Sequence, residues 1–111
     1  MLLSDEKINR TFAALSDSTR RKIVEILVNG NAKTVFELAV DFDQSRQSVT
    51  KHLNILCDAG IVLTQKDGRQ RLSRLNEEAF SPINEWLSHY DQFWGQKMGE
   101  LKNLIEKGEK K

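Results

Sequence analysis

Cysteine is nearly absent. A single residue, Cys57, allows no internal disulfide and excludes a thiol-only metal cluster within one chain. No run of about 18 apolar residues occurs, so no membrane-spanning helix is expected. The opening Met1-Leu2-Leu3-Ser4-Asp5-Glu6 has neither a basic n-region nor an apolar h-region, and a cytoplasmic protein is expected. Catalytic groupings are missing too. The expected helices unite no Ser/His/Asp or Cys/His set, no Gly-rich loop is present to cradle phosphate, and no paired carboxylates fall in an expected cleft. Neither an enzyme nor a cofactor is expected.

Net charge is also small, only +1 over 111 residues. Its distribution is uneven. Residues 1–43 carry 6 Lys+Arg against 7 Asp+Glu, residues 44–74 carry 6 against 2, and residues 75–111 carry 5 against 7. A basic middle between mildly acidic ends makes a local field of the kind that attracts phosphate. The length suits one domain, 1–111, and the 39% apolar residues make a small core that oligomerisation would enlarge.

Taken in order, Ser4 is an expected N-cap for a first helix whose apolar stripe is Ile8, Phe12 and Leu15. Ser16-Asp17 ends it, and Asp17 can cap the second helix. That helix holds Ile23, Val24, Ile26, Leu27 and Val28, should be central, and stops at Asn29-Gly30-Asn31. Arg20, Arg21 and Lys22 near its start form a basic run, expected to be solvated or to meet phosphate. Thr34-Val35-Phe36-Glu37 fits a capping box, which starts a short third helix over about residues 35–42. Asp43-Gln44 makes a turn and Ser45 caps a fourth helix that ends at Gly60. Two short helices joined by a tight turn form a helix-turn-helix, spanning about residues 34–60.

The fourth helix places Val49, Leu53, Leu56 and Gly60 on one side at i, i+4, i+7, i+11. Its outer side presents Arg46, Gln47, Thr50, Lys51 and Asn54, with Ser45 and Ser48 at the start. Arg can bind guanine, Gln can bind adenine, and a Thr methyl can meet a thymine methyl. Arg46, Gln47 and Thr50 are the expected base readers, with Lys51 and Asn54 at phosphates or the periphery. After Gly60 a β-branched run, a turn signal at Asp67-Gly68 and a returning run read as a hairpin over about residues 61–75, with a type I′ turn. It sets Lys66, Arg69 and Arg71 near its tip, as a wing that meets phosphates or the minor groove.

Ser81-Pro82 is expected to start the last helix, about residues 81–107, with Ser81 as cap. Phe80, Ile83, Leu87, Tyr90, Trp94, Met98, Leu101 and Ile105 follow nearly a heptad pattern. So much apolar surface on a terminal helix reads as a dimer interface: Leu87, Tyr90, Trp94, Met98 and Leu101, joined by Ile8 and Phe12 of the first helix. The fold class expected is mainly α with a small β-hairpin. It is a winged helix-turn-helix in the order α-α-α-α-β-β-α, dimerising through its terminal helices.

That order and its motifs resemble the ArsR/SmtB family of bacterial regulators. The matching residues are Phe12-Ala13-Ala14-Leu15-Ser16-Asp17-Ser18-Thr19-Arg20, Glu37-Leu38-Ala39, Ser45, Ser48-Val49-Thr50-Lys51-His52-Leu53, Leu56, Ala59-Gly60-Ile61-Val62, Gly68-Arg69 and Leu75-Asn76. The resemblance covers nearly the whole chain. It implies a homodimer on double-stranded DNA with an inverted-repeat operator, usually as a repressor, and in many members release by metal. This chain departs from the metal-sensing pattern. The run that holds two cysteines in some members is here Glu37-Leu38-Ala39-Val40-Asp41. His89 and Asp91 leave only a cross-subunit site open, no metal ligands are assigned, and the effector is unknown. The competing reading is a winged helix that binds another protein and has little affinity for DNA.

Overall fold

The computed structural model describes residues 2–109, without the side chains of residues 2–5, 94 and 107–109. Helices α1 (Leu2–Ala14), α2 (Ser18–Val28), α3 (Val35–Ala39) and α4 (Arg46–Asp58) precede two antiparallel strands, β1 (Val62–Asp67) and β2 (Gln70–Leu75). A 3₁₀ turn (Glu77–Phe80) leads into α5 (Ser81–Ser88) and α6 (Asp91–Glu109). This is the expected winged helix-turn-helix order, mainly helical with one hairpin. The chain forms two compact units, residues 1–81 and residues 82–111.

The core of the first unit is built on α4. Val49, Leu53 and Leu56 repeat at helical spacing and are at most 6% exposed. They cluster with Ile23 and Leu27 of α2, Leu38 of α3, and Ile61 and Val62 at the hairpin's start. Truncating the fully buried Leu56 to Ala should therefore destabilise the protein by about 2–5 kcal/mol in urea unfolding. A loss well below 1 kcal/mol would show that α4 is not the core's centre.

Local chemistry explains where the helices begin and end. The Asp17 carboxylate accepts from the Arg20 N–H at 3.1 Å and starts α2. Thr34 and Glu37 form the reciprocal box at the start of α3, at 2.9 and 3.2 Å. Ser45 Oγ accepts from the Ser48 N–H at 3.1 Å and starts α4. Gly60, at φ +78°, ends it. The Gly60 N–H donates to the Cys57 carbonyl and the Ile61 N–H to that of Leu56, while Ile61 and Leu56 are both fully buried. This is a Schellman end with its apolar pair, and only Gly takes that φ without strain.

Several expectations need correction. Helix α1 starts at Leu2, so Ser4 lies inside it rather than capping it. Among its described side chains the buried ones are Thr11 and Ala14, whereas Phe12 is 44% exposed. Thr11 can be buried because its hydroxyl donates to the Lys7 carbonyl at 2.9 Å. In α2, Val28 faces out at 61%. Helix α3 ends at Ala39, and residues 40–42 already turn.

The hairpin turn is Gly68-Arg69, not Asp67-Gly68. Asp67 pairs with Gln70 and Gly68 alone has positive φ (+65°), which matches a type II′ turn with Gly first rather than type I′. Asn76, at the start of the 3₁₀ turn, makes no side-chain cap there and donates to the Gly60 carbonyl at 2.9 Å. Ser81 is already the first residue of α5 rather than its N-cap, and its N–H closes the 3₁₀ turn by donating to the Glu78 carbonyl. The last helix is broken at His89–Tyr90, where two N–H groups bond only three residues back, to Trp86 and Leu87. Helix α6 runs on to Glu109, two residues past the expected end, and Lys110 and Lys111 lie outside the described residues.

Candidate nucleic-acid interface

The outer face of α4 carries the side chains expected there, and their neighbours differentiate them. Gln47, Lys51 and Asn54 are exposed and make no side-chain hydrogen bond or ion pair among the described residues. Arg46 is exposed too, but it is held. Its guanidinium lies 4.3 Å from the centroid of the Phe36 ring on α3. Stacking of this kind restrains a long side chain while leaving its N–H edge outward. Thr50 donates its hydroxyl to the Arg46 carbonyl at 2.9 Å, so its methyl is the group left for a base.

Ser45 and Ser48 have work inside the chain. Ser45 caps α4. Ser48 donates to Gln44 Oε1 at 2.7 Å, and Gln44 Nε2 donates to Thr19 Oγ1 at 2.8 Å. This chain of bonds ties the start of α4 to the start of α2. The Ser48 hydroxyl is thereby committed to positioning the helix.

The wing sets Lys66 directly opposite Arg71, with Arg69 in the turn. Like charges opposite one another are unfavourable in a hairpin. None of the three has a carboxylate within 4 Å among the described residues. Edge protection alone needs no such pairing. Thr50 and Asn54 of α4 share one groove with Arg69, Gln70 and Arg71 of the wing and with Phe36 of α3. The structure therefore gathers four of the ten expected contact residues, Thr50, Asn54, Arg69 and Arg71, around one concavity.

In the basic run at the start of α2, Arg21 and Lys22 are exposed and Arg20 half-buried, and all three also bond backbone carbonyls of the chain. Arg20 Nε and Nη2 donate to the carbonyls of Ala14 and Ala13, and Arg21 donates to that of Leu15 at 2.7 Å. Lys22 reaches the Asp41 carbonyl at 2.7 Å and sits over the Phe42 ring. These cations satisfy orphan carbonyls at the end of α1 and in the helix-turn-helix turn. Arg20 Nη1 also lies 3.3 Å from His52 Nδ1, and Asp17 Oδ2 lies 3.5 Å from the same nitrogen. The Arg20 N–H bond holds the Asp17 carboxyl below its usual range; burial opposes it, and the charges of His52 and Arg20 add to it. His52 is thus a packed residue that joins α4 to α2.

Burial raises the Cys57 thiol above its usual range, which makes it a poor nucleophile. Among the described residues no three His, Cys, Asp or Glu side chains cluster as metal ligands. His89 lies in the α5–α6 break and Asp91 opens α6. No helix of the described residues is long and apolar enough to cross a membrane.

Of the residues expected at a dimer interface, Ile8 is half-buried and Phe12 exposed in the first unit. In the second unit Leu87, Tyr90, Met98 and Leu101 are exposed, and Tyr90 stands in the break rather than within a helix. The side chain of Trp94 lies outside the described residues. Sequence reasoning missed Phe36, Gln44 and Ser73. Phe36 could have been found as a large aromatic on the solvent side of a capped helix, where packing does not call for one.

Comparisons with known proteins identify the family and the fold. A family model described as "Bacterial regulatory protein, arsR family" matches residues 17–64. The HTH-type transcriptional regulator Rv2034 of Mycobacterium tuberculosis is 35% identical over 98 residues, covering 88% of each chain. The transcriptional repressor SdpR of Bacillus subtilis is 32% identical over 83 residues, 75% of this chain and 91% of that one. A solved ArsR family transcriptional regulator, RHA00566, superposes with a TM-score of 0.71 at 37% identity, covering 82% of this chain and 93% of that one. The chain belongs to the arsR family of bacterial regulatory proteins and is a winged helix-turn-helix, DNA-binding transcriptional regulator.

Proposed function

We propose that the protein is a homodimeric repressor in the cytoplasm that binds an operator of inverted-repeat symmetry. It acts by binding and not as an enzyme. Arg46, Gln47 and Thr50 read base edges from α4, while Lys51, Asn54 and the wing cations Lys66, Arg69 and Arg71 follow phosphates. Ser45 adds a contact at the helix start. The observation that carries this reading is the unpaired cationic wing standing across a groove from the exposed polar face of α4. Repression is the stated activity of the Bacillus subtilis relative, whose length this chain nearly spans. The exposed apolar residues of α5 and α6 supply the surface for a second copy.

Gln47 offers the sharpest test. It is exposed, carries a two-way amide and has no partner within the described residues. Gln47→Ala should cost roughly 1–3 kcal/mol at one base position in each half-site and relax the choice there. Selection from a randomised duplex pool measures this directly. If the variant selects the same sites as the parent, Gln47 does not read a base.

A further inference from the structure

The groove between α4 and the wing holds about 250 Å³ and has more to offer than a phosphate track. Val35 and Phe36 of α3 and Leu53 of α4 give it an apolar side. Thr64, Arg71 and Ser73 give it a polar side, and they share one face of the hairpin, since Thr64 pairs with Ser73 and Arg71 stands two residues earlier. Ser73 is 1% exposed. Its backbone N–H and carbonyl are both bonded to Lys33, yet its Oγ has no hydrogen-bond partner. A buried hydroxyl without a partner is unfavourable, and Ala or Val at this place would avoid the cost. Arg71 and Arg69 line the same groove, with no carboxylate within 4 Å of them among the described residues.

Apolar walls with a few convergent polar groups are the usual make-up of a small-ligand pocket, and this volume lies just below the usual range, which limits the occupant to a small molecule. We propose that the groove binds a small organic acid. Its flat apolar body lies against Val35, Phe36 and Leu53, its carboxylate meets Arg71 and Arg69, and the Ser73 hydroxyl completes the hydrogen bonding. A duplex phosphate supplies the same anionic oxygens, but it has no use for the Val35 and Leu53 wall or for a hydroxyl so deeply buried. Thr50, Asn54, Arg69 and Arg71 also belong to the proposed DNA face, so acid and DNA exclude one another. That second step rests on the function proposed above. The arrangement makes a small acid the releasing signal.

The probe is 2-naphthoate, titrated into ¹⁵N-labelled protein and followed by amide shifts. Binding in the millimolar range or better, with shifts centred on Val35, Leu53 and Ser73, is expected for a ligand of this size. The uncharged 2-naphthylmethanol should bind at least about tenfold more weakly, as should 2-naphthoate to Arg71→Ala. Ser73→Ala should weaken binding about fivefold. Without ligand this variant should melt no lower than the parent, which shows that the fold is kept. Inorganic phosphate at matched ionic strength should leave Val35 and Leu53 unshifted. Absence of groove shifts, or equal binding by parent, Arg71→Ala and Ser73→Ala, overturns the site. A fluorescein-labelled random-sequence duplex at low salt tests the rest. Its release by 2-naphthoate supports the competition. If the acid fills the groove while the duplex stays bound, the ligand site stands and the shared DNA face falls.

Discussion

Replacing Lys66, Arg69 and Arg71 together with Ala should weaken binding to every duplex, cognate or random, without changing which sequence is preferred. The three cations are exposed at or beside the hairpin turn, and two of them face each other across the strands. If each neutralises one phosphate, each contributes about 0.9 to the slope of log affinity against log salt, a factor of about eight at 0.1 M salt. The triple variant should therefore lose several hundredfold at that salt, and its slope should flatten by about 2.7. Fluorescence anisotropy over a salt series reads both quantities. The core should not notice the change, because none of the three side chains is buried. An unaltered slope would remove the wing from the phosphate path. A parent protein whose partner affinity ignores salt altogether would favour the competing reading, a winged helix that docks on protein.

The parts of this molecule that were legible in advance are those whose partners lie within a few residues. The caps at Asp17, Thr34-Glu37 and Ser45 and the stop at Gly60 all close bonds over three to five positions, and each occurs where the local pattern puts it. The core stripe of α4 is legible for the same reason, since helical spacing is local. What was not legible depends on distant groups. The hairpin turn slid by one residue because Leu75 packs against the core when it stands opposite Val62. Asp-Gly alone cannot report which pairing the core prefers. The carbonyl bonds of Arg20 and Arg21 were not legible because their acceptors, at the end of α1, come within reach only once the α1–α2 turn has formed. The face that α1 buries was likewise set by what it meets, and Thr11 serves there because its hydroxyl is satisfied within the helix. On the candidate site, the residue types along α4 were readable. The Phe36 stack that holds Arg46 and the Gln44 link that occupies Ser48 were not, since both join side chains on different elements.

The largest expected loss follows from separating two copies of the chain. Leu101→Glu should yield a monomer in sedimentation velocity at micromolar concentration and lower operator affinity by about 10²–10⁴-fold. Met98, Leu101 and Ile105 recur at steps of three and four along α6, and are 61%, 49% and 53% exposed. Gly95 and Gly99 lie on the same helix, and a Cβ added to either meets nothing within 4 Å. Mid-helix glycine is unfavourable by about 0.5–1 kcal/mol relative to alanine, and among the described residues no contact requires it here. Close approach of a second helix is the use such positions have. A charge at Leu101 would have to be buried at that contact without a partner, which no apolar interface tolerates cheaply. The monomer still carries an intact reading helix and wing, because the winged helix forms its own compact unit with its own core. It should therefore bind one half-site with ordinary single-module affinity and keep the base preference of Gln47. What disappears is the second arm, whose binding is intramolecular in the dimer and needs only the effective concentration set by the protein's geometry. Comparing one half-site with a full inverted repeat separates the two effects. The variant should bind both equally, whereas the parent should favour the full repeat by the whole avidity factor. A parent that sediments as a monomer, or that shows no preference for the full repeat, overturns both the interface and the symmetry of the operator.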